Sequence, residues 1–476
     1  MDLRAQVVQS LRWSLLGKLS GQIATWAITL IVIRILAPED YGLVALASAS
    51  AGLLFVINEL GLSAGVIQQK NIDLTLLRQV FGVVIALNLA CFLGLFLLAT
   101  PIAAFYTQPK LVPLIRLLSC QFIFSAFTVL PNALLMREMR FRALSLMDLA
   151  TQIAGSLVTL FLALAGFGVW SLAWGNLASV VLKSVLYNAA SPFLHWPTAP
   201  SAALRETMTF GGFVTLQRVL WFVYSSADVF IVGKLLGKDI LGQYAISYQF
   251  ASLPMQKVNG IISAVTFPAY SRAHGRTGAL RGHLSTTIRV LSMVAFPVFA
   301  GISVISEDAI LVVLGDKWSP AIVSMQLLSL VMPLKMILSS IQTALNSAGR
   351  PAFTFAIVVV ATLVIPSSIV AGAQWGLTGV AVAWVITFPC VFLFAVAVAR
   401  SSIQFGIRDL WFCTWKPALA SAVMYAVVVA AKFAFRFPAS PGRLGLLIVL
   451  GVATYALCVT LFAREHIAEL RVLIAA

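Results

Sequence analysis

Six basic side chains fall inside long apolar runs of this chain: Lys18, Arg116, Lys183, Arg218, Lys257 and Lys335. The acids inside such runs are fewer, Glu59, Asp148 and Asp228. A Lys or Arg at the centre of a membrane helix costs about 2.5–3.5 kcal/mol on insertion scales, so such a residue is expected to face protein or a wet cavity. A cavity lined with cations in excess suits an anion, such as a diphosphate held by charge-assisted hydrogen bonds.

Spacing singles out one pair. A displacement of 200 residues lays Arg218 on Lys18 and Lys234 on Arg34. In each copy the two cations are 16 residues apart, about 24 Å of helix rise, which places one near each face of a bilayer. Snorkelling to the interfaces is the competing reading for all four.

Asp228 lies ten residues, about 15 Å, beyond Arg218. It is open to two readings: a binding group for a coupling proton or Na⁺, or a structural partner of Lys257 or Lys335. Glu59 carries the same coupling reading against an interfacial one. Asp148 reads as an ion partner of the basic connection Arg137 to Arg142. Pro254 precedes Lys257 and Pro333 precedes Lys335, so bent backbone and charge coincide, and a broken helix lining a cavity is expected there.

The elements that carry these residues follow from composition. The chain has 476 residues, is 61% hydrophobic and only 10% charged, whereas a soluble domain needs about 25% charged residues. Fourteen apolar runs of membrane-crossing length, between residues 13 and 463, are separated by short polar corners, matching a hydrocarbon core roughly 30 Å thick. The expectation is an all-α polytopic membrane protein. Barrel-type alternation is absent.

The corner Arg34 to Gly42 recurs 200 residues later, and at a displacement of 210 Leu327-Leu328-Ser329 fall on Leu117-Leu118-Ser119 and Arg350 on Arg140. Six helices separate the copies, an even number, so the repeat is parallel. Two six-helix lobes are expected, 1–195 and 205–400, joined through a proline-rich linker, with two further helices in 410–476. More than half of the 32 Lys and Arg lie on the side that carries both termini, which the positive-inside rule places in the cytoplasm.

The net charge of +16 is scattered over membrane segments and short loops, which argues against nucleic acid. The five cysteines lie in or beside apolar runs without CxxC spacing, so neither a metal nor a disulfide is expected. No cofactor is expected either. A membrane glycan polymerase or ligase would need an acid or base in an outer pocket, and the outer candidates are Glu39, Asp40, Asp239, Glu307, Asp308 and Asp316 in connections too short for a catalytic loop.

The run Ile33-Arg34-Ile35-Leu36-Ala37-Pro38-Glu39-Asp40-Tyr41-Gly42, with Glu59-Leu60-Gly61-Leu62-Ser63-Ala64, Gln68-Gln69-Lys70, Arg140-Phe141-Arg142 and Gly166-Phe167-Gly168-Val169-Trp170, resembles the bacterial polysaccharide flippases of the multidrug/oligosaccharidyl-lipid/polysaccharide exporter superfamily. The resemblance implies an inner-membrane transporter, not an enzyme, that moves an undecaprenyl-diphosphate-linked oligosaccharide outward by alternating access. Its implied partners are membrane lipids and the polymerase and chain-length machinery. The basic cavity of that family is carried over onto Lys18 and Arg218, and further onto Arg34, Lys257 and Lys335. A multidrug exporter and a lipid II flippase of the same superfamily stand as alternatives. Cationic drugs would want an acidic cavity, against the six bases and three acids counted above.

Overall fold

A computed structural model describes residues 21–22, 24–57, 73–199, 202–272, 277–434 and 438–462, with the backbone path alone for 202–218, 257–272, 277 and 462. The described residues form helices and connections. In chain order the helices are α1 (Ala24–Ile35), α2 (Pro38–Ile57), α3 (Leu74–Phe105), α4 (Leu111–Arg137), α5 (Phe141–Leu164), α6 (Val169–Ala190), α7 (Ala202–Leu235), α8 (Gly237–Arg272), α9 (Thr277–Ala309), α10 (Ala321–Ser347), α11 (Pro351–Gly372), α12 (Gly376–Ile403), α13 (Ile407–Ala434) and α14 (Pro441–Phe462). Among the described residues, ten helical stretches are long and apolar enough to cross a membrane, one of them the 53-residue run Pro351–Ile403 that contains both α11 and α12. The chain is a multi-pass membrane protein.

The duplication is visible in the backbone. Helices α4 and α10 are each 27 residues long and begin at Leu111 and Ala321, 210 residues apart. Two residues beyond each helix lies a left-handed residue, Met139 (φ 55) and Gly349 (φ 71), also 210 apart, and the same offset relates Gly166 (φ 80) to Gly376 (φ 66). Three of these four are glycines, the residue that enters this region without a Cβ clash.

By packing, residues 1–242 form one compact unit and 243–476 another. In the first, Val80, Val83 and Val84 of α3 pack on Ala126, Val129 and Ala133 of α4, and Phe193, in the strap after α6, closes this cluster. Helices α5 and α6 cross at two glycines. A Cβ on Gly155 would lie 2.8 Å from the Gly175 carbonyl oxygen, and one on Gly175 2.8 Å from that of Gly155, so only small residues allow this approach.

In the second unit α13 and α14 pack against α9 through Val304, Val428, Ala431 and Leu447. Ion pairs tie the same helices at both ends. Arg281 Nη2 is 2.6 Å from Asp409. At the other end Lys432 lies 2.7 Å from Glu307 and 3.1 Å from Asp308, whose second oxygen is 3.2 Å from Arg443 Nε. From Arg281 to Glu307 is about 39 Å of helix rise, so the two clusters bracket a hydrocarbon core of roughly 30 Å.

The expected helix breaks at Pro254 and Pro333 do not occur. Helix α8 runs from Gly237 to Arg272 and α10 from Ala321 to Ser347 without interruption. A proline removes one hydrogen bond, and membrane helices absorb that loss through local adjustment and neighbouring groups. Irregular backbone among the described residues includes a π-helical turn, Ile310–Leu314, after α9.

Candidate functional site

Lys335 lies near the midpoint of α10 (Ala321–Ser347), the most costly depth for a cation in a bilayer. The fold meets that cost with rings. Lys335 Nζ sits 3.6 Å from the centroid of the Trp384 ring, 4.9 Å from that of Tyr248 and 5.6 Å from that of Phe388. It also donates to the Tyr248 hydroxyl at 3.4 Å. Trp384 Nε1–H in turn donates to the Tyr244 hydroxyl at 2.9 Å.

Three helices build this box. Tyr244 and Tyr248 are one turn apart on α8, and Trp384 and Phe388 are one turn apart on α12, the spacing that puts two side chains on one helix face. The Ser247 hydroxyl, between the two tyrosines, donates to the Ala321 carbonyl at 3.0 Å and fixes α8 to the start of α10. Tyr244, Trp384 and Phe388 are fully buried, whereas Lys335 and Tyr248 are partly open. The rings orient the ammonium through their negative faces; none of them brings a formal charge.

The first unit handles a lysine differently. Lys183 Nζ is 2.9 Å from Asp148 Oδ1, and the Tyr187 hydroxyl donates to the same oxygen at 2.8 Å. The glycine crossing explains the meeting: Asp148 lies two turns before Gly155 on α5 and Lys183 about two turns after Gly175 on the antiparallel α6. Asp148 is thus the partner of Lys183 rather than of the Arg137 to Arg142 connection. That connection finds other partners, with Arg140 Nη1 donating to the Ala190 carbonyl at 3.1 Å and lying 3.6 Å from Glu138.

Of the remaining sequence candidates, Asp228 is buried in α7, where its Oδ1 accepts from the Val229 amide at 2.9 Å. Arg34 is exposed at the end of α1. Lys18 and Glu59 lie outside the described residues, as do the side chains of Arg218 and Lys257.

The corner that includes Arg34 meets its own repeat. Pro38 opens α2, and the Ala37 amide donates to Asp40 Oδ2 at 3.0 Å, an acidic cap at the third helical position. Glu39 pairs with Lys238, and the hydrogen bond raises the Lys238 ammonium above its usual pKa. A Cβ on Gly42 would lie 1.8 Å from the Lys238 carbonyl oxygen, and one on Gly242 1.8 Å from the Pro38 carbonyl oxygen. These residues are equivalent at a displacement of 200, so the two corners touch through matching atoms.

In the second unit, α9, α13 and α14 also line an open pocket of about 510 Å³, with walls that include Pro297, Gly301, Met424, Leu447 and Gly451. Its lining carries no charged side chain. Such walls suit a hydrocarbon chain.

A family model described as "polysaccharide biosynthesis protein" matches residues 31–323, well over half of the chain. The chain belongs to this family. Relatives extend the match along almost the whole length. The lipopolysaccharide biosynthesis protein WzxC of Escherichia coli is 25% identical over 452 residues, 91% of this chain and 89% of that one. The succinoglycan biosynthesis transport protein ExoT of Rhizobium meliloti is 26% identical over 429 residues, 89% and 86% of the two chains. Among solved structures, the lipid II flippase MurJ in an inward closed conformation has a TM-score of 0.72 at 16% identity, covering 96% of this chain and 99% of its own. An inward-facing multidrug resistance MATE family transporter of the MOP superfamily has a TM-score of 0.61 at 16% identity, covering 82% and 98%. These likenesses show that this family member has the transporter fold.

Sequence reasoning reached Lys335 but not its rings. The available signal was two aromatic pairs at i and i+4, Tyr244 with Tyr248 and Trp384 with Phe388. In a chain that is 11% aromatic such pairs are ordinary core material until a lysine is found between them.

Proposed function

We propose that this protein is a flippase that moves an undecaprenyl-diphosphate-linked oligosaccharide from the cytoplasmic to the periplasmic leaflet of a bacterial inner membrane, for surface polysaccharide biosynthesis. The observation that carries the reading is the near-full-length match to relatives named for lipopolysaccharide and succinoglycan biosynthesis, on a fold shared with a lipid II flippase. On this reading the protein is a transporter working by alternating access and not an enzyme.

Among the described residues, Lys335 is proposed to meet the diphosphate. It is held at mid-helix, and a phosphate oxygen is a stronger partner for an ammonium than a ring face is. Lys18, Arg218 and Lys257 are proposed to share the anion, with Arg34 on the exit side. Asp228 and Glu59 are the proposed binding groups for a coupling ion. The repeat assigns 1–195 and 205–400 to two lobes and 410–476 to an added helix pair, with both termini in the cytoplasm. Membrane lipids surround the chain, and the polymerase and chain-length machinery would receive its product.

The test is flipping by purified protein in proteoliposomes, offered diphosphate-linked oligosaccharides and, separately, lipid II, with and without proton or Na⁺ gradients. Accessibility of the glycan to an external modifying enzyme is expected to rise with the oligosaccharide carriers and to fall when Lys18 and Arg218 are both replaced by Ala. The fold shared with MurJ makes lipid II the alternative cargo, and movement of lipid II alone would decide for it. Movement of neither would overturn the flippase reading.

A further inference from the structure

The strap that follows α6, residues 191–199, is held on α3 by one arginine. Arg78 Nε–H donates to the Trp196 carbonyl at 3.0 Å, and the Thr198 amide donates to the Arg78 carbonyl at 3.2 Å. Phe193 anchors the first half of the strap, its ring edge-on to Phe81 at 5.5 Å. A Cβ on Gly82 would lie 2.6 Å from the Thr198 carbonyl oxygen, so the strap closes on the helix where a side chain is missing.

Beside this contact runs an open groove of about 520 Å³, with walls from Gly82, Val83, Ala86 and Leu87 of α3 and from Pro197 to Ala199 of the strap. Its walls carry no charged side chain, and Arg78 lies one turn before Gly82. Trp196 is 84% exposed and Leu194 75%, large side chains turned outward at the level that indole rings favour, the boundary of membrane and water. Arg78 comes five residues after Asp73, the cap of α3. From Arg78 to Leu87 is about 14 Å of helix rise, so the groove leads from that boundary into hydrocarbon. Among the described side chains at this end of the unit, Arg78, Arg137, Arg140 and Arg142 stand against Asp73 and Glu138.

We propose that this groove binds one anionic phospholipid of the surrounding bilayer, with its phosphate on the Arg78 guanidinium and an acyl chain laid along Gly82, Val83, Ala86 and Leu87. A guanidinium is a fork of donors, so its Nη atoms meet phosphate oxygens while Nε keeps the Trp196 carbonyl. A phospholipid joins phosphate to chain in the order in which Arg78 and the apolar walls follow along α3. The basic excess at this end selects a net negative headgroup. The bound lipid fastens the strap, and with it the lead into α7, to α3. Nothing in this site depends on the cargo, so it stands or falls apart from the flippase reading.

The probe is phosphatidylglycerol with a diazirine in one acyl chain, in nanodiscs of phosphatidylcholine, with diazirine-bearing phosphatidylcholine as the neutral control. The readout is photolabelling of segments 79–87 and 192–199 relative to segment 157–164 of α5, whose Leu157, Phe161 and Leu164 are exposed. In wild type this ratio is expected to be at least about threefold higher for the anionic probe. Arg78→Gln is expected to bring it down to the neutral level, and Arg78→Lys, which keeps a charge, to retain most of it. Ala86→Trp, which fills the groove from an exposed position, is expected to lower labelling by both probes.

Equal ratios for the two probes in wild type would assign the groove to bulk lipid and overturn the proposal. So would an anionic surplus that survives Arg78→Gln, or undiminished labelling in Ala86→Trp. A loss in Arg78→Lys as complete as in Arg78→Gln would assign Arg78 to holding the strap alone and overturn the phosphate contact.

Discussion

Lys183 and Lys335 are both lysines in long apolar helices, and the chain treats their charge in opposite ways. Lys183 meets a carboxylate one helix away, and a tyrosine hydroxyl completes the shell of that carboxylate. Lys335 meets three ring faces and a phenol oxygen. The first arrangement brings a carboxylate to the ammonium, and the second lays the ammonium against aromatic faces. Both relieve the cost of a cation among hydrocarbon. On the flippase reading, a phosphate oxygen reaching Lys335 would add a charge-assisted hydrogen bond to its ring contacts.

The largest expected effect breaks this contrast at Lys335. Lys335→Ala should lower the flipping rate in proteoliposomes about 10- to 100-fold, the loss of one charge-assisted hydrogen bond of about 1.5–3 kcal/mol. Lys335→Arg should recover part of the rate. If Lys183 is structural, replacing it together with Asp148 by alanine should leave the flipping rate within about threefold of wild type, because coupled partners removed together leave no orphaned charge. A loss as large as that of Lys335→Ala would erase the distinction drawn between the two lysines.

Stability sharpens the same comparison. Asp148→Ala alone strands Lys183 and should cost about 1–2 kcal/mol in unfolding free energy, a moderate value because both side chains are some 40% exposed. The double replacement should cost less than this single one. Trp384→Phe should cost about 1 kcal/mol by weakening the ring face and removing the hydrogen bond from the indole to the Tyr244 hydroxyl. The smallest effect is expected from Tyr187→Phe, about 0.5–1 kcal/mol, since Asp148 keeps its ammonium.

Much of this architecture was legible in the residues. The offset of 210 read from Leu117-Leu118-Ser119 and Arg140 reappears as the offset between the starts of α4 and α10, because helix limits follow where apolar runs meet polar corners. Lys335 stood out because a cation amid apolar residues is rare enough to need a reason. What stayed hidden were contacts made across helices. Asp148 was assigned to the arginines nearest in sequence, but a glycine crossing brought Lys183 to it from 35 residues away. The prolines at 254 and 333 suggested breaks, but the cost of one lost hydrogen bond is small in a helix packed on its neighbours.

The contact between Gly42 and Gly242 has a consequence for how such a chain can change over time. After a duplication, the two copies are ordinarily at liberty to drift apart, each adapting to its own surroundings. At this corner the surroundings of each copy are the other copy, a glycine facing the carbonyl of the residue four places before its twin. A bulkier residue on either side would push on the partner's backbone, which no side-chain change over there could accommodate. The ancestral doubling is therefore locked at one point, and the rest of the two halves has been left to diverge around it.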